Sequence, residues 1–187
     1  MSHVTPQAVP LPHESCISDV YTRPNLADAY SIDLPLGTAR DPELLARFIF
    51  SHQPRWVAAL MDVRDTVVSV IGLKTGRSLR SANERRDRIG IFKVYETRPF
   101  EVLVGENDKH LDFRASVLYR EAQGPQCEAS VVLSTVVHCH NLLGRTYLTL
   151  IAPFHRLVVQ SFLRQAAERG WPREPSSSSP ATPGVGV

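Results

Sequence analysis

The chain has 187 residues, 21 lysines and arginines against 19 aspartates and glutamates, 43% hydrophobic residues and 21% charged residues. That length suits one domain with flanking segments, and the apolar share is enough for a packed core, which excludes disorder of the whole chain. A net charge of +2 gives no electrostatic case for a nucleic-acid partner. No apolar run is long enough to span a bilayer and no basic-then-apolar leader opens the chain, so a cytoplasmic protein is expected.

Residues 1–25 carry Pro6, Pro10 and Pro12 and read as an extended segment that buries little. Ala29–Leu36 alternates loosely as a first strand. Asp41-Pro42-Glu43 is a helix start, with Asp as the cap, Pro at the first helical position and an acid in the first turn. Leu44, Leu45, Phe48 and Ile49 then form one apolar stripe. Pro54 opens a second helix with Trp56, Leu60, Val63, Val67 and Val70 at helical spacing, and Gly72 closes it. Residues 73–88 form a polar, arginine-rich loop.

The period then changes to that of strands: Ile89–Glu96, Phe100–Gly105, His110–Glu121 and Gln126–His140, with a turn at Gln123-Gly124-Pro125. Asn141 caps a final helix from Leu142 to Arg169, whose apolar face is Tyr147, Ile151, Phe154, Val158 and Phe162, and Gly170 ends it. Residues 171–187 are a low-complexity tail. The folded unit is therefore set at residues 26–170. An antiparallel sheet and a long amphipathic helix must cover each other's apolar faces. The expected fold is α+β, a curved antiparallel sheet around the C-terminal helix with two helices inserted after the first strand.

The segments PRWVAALMDVRDTVVSVIGLK, GENDKHLDFRASV and HNLLGRTYLTLIAPFHRLVV resemble an uncharacterised bacterial family, one of the domains of unknown function. That family is associated with the helix-grip (SRPBCC) superfamily of START, polyketide-cyclase and pathogenesis-related folds. The resemblance spans roughly residues 28–165 and implies a sheet gripping the last helix with an apolar cavity between them. It implies no particular activity, because one fold hosts carriers, cyclases and hydrolases.

Alternation along His110–Tyr119 puts Leu111, Phe113, Ala115, Val117 and Tyr119 on one face and His110, Asp112, Arg114 and Ser116 on the other. A register that sets His110 opposite His138, Asp112 opposite Val136 and Asp108 opposite His140 clusters Asp108, His110, Asp112, His138 and His140. A slip of one residue would set polar against apolar, which fixes the parity. Such a group suits a divalent metal or an acid/base pair, with Asp108, His110, Asp112 and His138 as catalytic candidates. The alternative, which leads, is an outer-face polar network with Arg114 paired to Asp112. No metal or cofactor is expected.

Pro153 removes a helical hydrogen bond from the Thr149 carbonyl, and a kink there would shape the cavity. Arg114, Tyr147, Ile151, Phe154 and His155 are the candidate ligand-binding residues. The arginine-rich loop suits an anionic headgroup or phosphate, but such a run is more often a solvated loop. No phosphate loop, nucleophile elbow or zinc-protease helix is present. Three cysteines, Cys16, Cys127 and Cys139, without close pairing argue against a disulfide framework, and Cys127 and Cys139 fall on the apolar face. The leading expectation is binding of a small apolar or amphipathic molecule in an internal cavity. Alternatives are a small cyclase, dehydratase or hydrolase using the Asp/His cluster, and a non-catalytic interaction module.

Overall fold

The computed structural model describes residues 5–51, 88–122 and 128–174. Seven strands are β1 (Gln7–Val9), β2 (Leu26–Asp33), β3 (Arg88–Ile89), β4 (Phe92–Arg98), β5 (Glu101–Asn107), β6 (Leu111–Arg120) and β7 (Ser130–Cys139). They form one curved antiparallel sheet in the order β1-β2-β7-β6-β5-β4-β3. Two helices are present among the described residues, α1 (Pro42–Ser51) and α2 (Leu142–Arg169). The α+β architecture of a sheet gripping a long C-terminal helix is thus the one expected. The second inserted helix, the turn at residues 123–125 and most of the arginine-rich loop lie outside the described residues.

Local chemistry sets both helix starts. Asp41 Oδ1 accepts from the N–H groups of Glu43 (2.8 Å) and Leu44 (3.3 Å), and Asn141 Oδ1 accepts from Gly144 N–H at 3.0 Å, each satisfying donors that a helix start leaves free. At the other end Gly170 adopts φ 81°, a left-handed conformation that terminates α2. Leu45, Ala46, Ile49 and Phe50 of α1 are buried, whereas Leu44, expected in that stripe, faces outward.

The principal core lies between the sheet and the C-terminal half of α2. Val158, Val159, Phe162, Leu163 and Ala166 pack with Leu45, Ile49 and Phe50 of α1 and with Val102, Val104, Val117 and Leu133 of the sheet. Edge-to-face rings continue from Phe162 through Phe50 and Phe92 to Phe113, with centroids 6.0, 5.4 and 5.4 Å apart. The N-terminal half of α2 packs separately: Tyr147 meets Leu111 and Ile151, and Leu148 meets Val137 and Cys139.

Four expectations are corrected. The span Ile89–Glu96 is not one strand, because Gly90 at φ 62° turns the chain between β3 and β4. Phe154, placed on the buried face, is 46% exposed, because the packed stripe runs through Leu148, Val159 and Leu163 instead. The N-terminal segment does not bury little. β1 pairs with β2, and Ile17, 0% exposed, packs on Leu103 and Val136 across the outer face of the sheet. Trp171, beyond the expected end of the folded unit, also joins the core.

Candidate functional site

β6 and β7 pair with Asp112 opposite His138, Phe113 opposite Val137 and Arg114 opposite Val136. This differs by two residues from the expected register. Parity is kept, so the polar row stays on one face, but the membership of the cluster changes. His110 leaves it: its Nδ1 accepts from the Asn141 side-chain amide at 2.9 Å, and its carbonyl accepts from His140 N–H at 2.9 Å. Asp108 contributes its backbone, donating N–H to Asp112 Oδ1 at 3.1 Å.

What converges is Asp112, His138 and His140, with Tyr21 and Arg114 beside them. Asp112 Oδ2 and His140 Nε2 are 3.2 Å apart. The His138 and His140 rings meet edge to face at 5.4 Å, and Tyr21 from the N-terminal segment stacks on His138 at 5.5 Å. The expected Arg114–Asp112 pair does not form. Arg114 Nη1 instead donates to the Phe113 carbonyl at 2.8 Å, and its guanidinium lies 3.6 Å from the centre of the Tyr95 ring. Among the described residues no three His, Cys, Asp or Glu side chains, these included, are placed so that they could hold a metal ion.

The five candidate binding residues do not form one group. Tyr147 and Ile151 meet on the concave side. His155 Nε2 lies 3.3 Å from Asp28 Oδ1, tying α2 to β2, and Phe154 points outward. Arg114 belongs to the opposite face of the sheet, because it alternates with Phe113 and Ala115, which face α2.

Burial on the outer face also assembles a group that sequence reasoning missed. Glu101, 3% exposed, accepts from the Ser15 and Ser116 hydroxyls and from Cys16 N–H at 2.9 Å. Burial, together with the Glu101 carboxylate beside it, pushes the Cys16 thiol up to about 12, so it is a poor nucleophile near neutrality. Burial likewise raises the Tyr21 phenol, with Arg114 pulling the other way, and raises the Cys139 thiol. A cleft of about 330 Å³ borders this group, lined by residues such as His13, Cys16, Glu96 and Arg98. A second, of about 490 Å³, lies by Phe100, Leu118 and Tyr119. Tyr147, Ile151, Phe154 and His155 line neither.

Fold and site together describe a helix-grip-like α+β domain with a polar cluster under an N-terminal strap. The family model described as "Protein of unknown function (DUF2867)" matches residues 20–162, and the chain belongs to that family. No curated protein and no solved structure matches it. Among the described residues no helix is long and apolar enough to cross a membrane.

Proposed function

We propose that this protein is a cytoplasmic member of the helix-grip (SRPBCC) superfamily that binds a small apolar or amphipathic molecule. The site lies between the N-terminal half of α2 and the concave face of the sheet. One observation carries this reading, the unequal packing of α2 on either side of Pro153. Beyond it, Val158, Val159, Phe162 and Leu163 are buried. Before it, Tyr147 and Leu148 are buried, but Ile151 and the Leu111 and Phe113 packed beside them are only half-buried. Apolar surface left partly uncovered inside a concave fold is what an apolar guest covers, and Tyr147 and His155 supply polar tips for orientation. An enzymatic reading would rest on Asp112 and His140, which lie across the sheet from this region. The binding reading therefore leads.

The test is a fluorescent apolar probe titrated into wild type and Ile151→Trp, with denaturation midpoints for both. Saturable uptake by wild type, lost in a variant of nearly unchanged stability, supports the reading. No uptake by wild type, with a variant destabilised by about 1–3 kcal/mol through overpacking, rejects it in favour of an interaction module.

A further inference from the structure

Arg114 is a fixed positive charge that is only 9% exposed, and among the described residues no carboxylate pairs with it. Buried charge is costly without a counter-charge. The acids on the same face are engaged elsewhere: Asp112 with His140, and Glu101 with two serine hydroxyls and Cys16 N–H. One guanidinium N–H is used, on the Phe113 carbonyl. The position is nevertheless built. Gly105 stands opposite Arg114 in the β5–β6 register, and a Cβ there would come within 2.8 Å of Arg114 Cδ. The glycine leaves a trough through which the side chain crosses β5 to the Tyr95 ring on β4. Tyr95 is held by its own hydroxyl, which donates to Asn107 Oδ1 at 3.1 Å.

Near Arg114 a second polar group is unsatisfied among the described residues. The Tyr21 hydroxyl is buried and makes no hydrogen bond among the described residues, while its ring is fixed on His138. A buried donor left unmade is unfavourable, as is a buried cation left unpaired. An oxyanion satisfies both, accepting from the guanidinium in its planar fork geometry and from the phenol. We propose that the outer face of the sheet, between Tyr21 and Tyr95, binds a carboxylate or phosphate group, with Arg114 and the Tyr21 hydroxyl as its donors. This site is separate from the concave-side region and stands or falls independently of it.

The experiment uses the full chain with inorganic phosphate and acetate, each titrated at constant ionic strength set by potassium chloride, and read by calorimetry. Saturable binding of at least one anion is expected. Phosphate alone points to a phosphoryl ligand, and acetate alone to a carboxylate. Arg114→Gln should weaken binding by about tenfold or more, the size of a lost charge-assisted hydrogen bond. Tyr21→Phe, which keeps the stack on His138, should weaken it by a smaller factor. Should Arg114→Gln fail to fold, the Arg114 Nε–H resonance of the wild type gives the same information and should move on titration. No saturable binding of either anion overturns the proposal. So does binding undiminished in both variants, or an Arg114 resonance that stays fixed while an anion binds.

Discussion

Ser15 and Glu101, separated by 86 positions in the chain, hydrogen-bond within the layer that the N-terminal segment lays over the outer face of the sheet. The contact joins an irregular strap to β5 and is shared with Ser116 of β6. Ser15→Ala takes one donor from a buried carboxylate that has no cationic partner among the described residues. The expected cost is about 1–3 kcal/mol, seen as a fall of roughly 2–12 °C in Tm. Deleting residues 1–20 removes Ile17 as well and should cost more, because a buried aliphatic side chain alone is worth about 2–5 kcal/mol. Thermal melts of the two variants check this. An unchanged Tm in the deletion would show that the strap does not hold the sheet.

Gly144 lies in the first turn of α2, where helix propensity alone favours alanine by about 1 kcal/mol. Packing opposes that. A Cβ at this position would sit 2.1 Å from the His110 carbonyl oxygen, and that oxygen is already held by His140 N–H. Gly144→Ala should therefore destabilise, by roughly 1–3 kcal/mol, against the propensity. A urea midpoint decides the sign. A more stable variant would mean that residues 108–110 yield without penalty.

Elements with a local cause were legible in the sequence. Asp41-Pro42-Glu43, Asn141 and Gly170 mark helix ends by short-range hydrogen bonding, and they do so in the fold. The polar face of β6 was legible because parity is fixed by alternation, while the two-residue offset against β7 depends on the turn that joins them. That offset decides whether Val136 or His138 stands opposite Asp112. The strap was not legible from its own residues, since Ile17 sits among Cys16, Ser18 and Asp19 with no period. Its signal lay elsewhere. Val102-Leu103-Val104 and Val131-Val132-Leu133 are apolar on both faces of their strands, and such strands need cover on both sides. Phe154 was misplaced because a step of four from Val158 fits a helical stripe as well as the steps that reach Leu148 and Leu163.

Cys16 gives a chemical readout of the strap. Its thiol is pushed up to about 12 by burial first and by Glu101 second. Alkylation requires the thiolate, so Cys16 in the folded protein should react far more slowly at pH 8 than the same residue in the denatured chain. Peptide-resolved mass spectrometry after iodoacetamide measures this, and Ser15→Ala should accelerate it by loosening the strap. The linked effect on stability has a definite sign. Below the ordinary thiol value of 9.0 both states hold the proton and the group contributes no slope. Between that value and about 12 the unfolded chain loses the proton first, so stability falls as pH rises. Equal labelling rates in native and denatured protein would show that Cys16 is not shielded.

Asp28 and His155 test how α2 is fastened near Pro153. His155 Nε2 lies 3.3 Å from Asp28 Oδ1, while Asp28 Oδ2 is buried without a partner among the described residues. The carboxylate is therefore half-satisfied, and the imidazole is its one side-chain contact there. His155→Ala should cost about 1–3 kcal/mol, mostly the penalty of leaving that carboxylate unpaired rather than the worth of the contact itself. Asp28→Ala removes the group that needs pairing and should cost less. The distinguishing quantity is the double variant. Once Asp28 is alanine, the further change at His155 should be nearly free, giving a coupling energy of about 0.5–3 kcal/mol from the four denaturation midpoints. Additive losses would mean that the two side chains act separately and that apolar packing, not this contact, fastens α2 near Pro153.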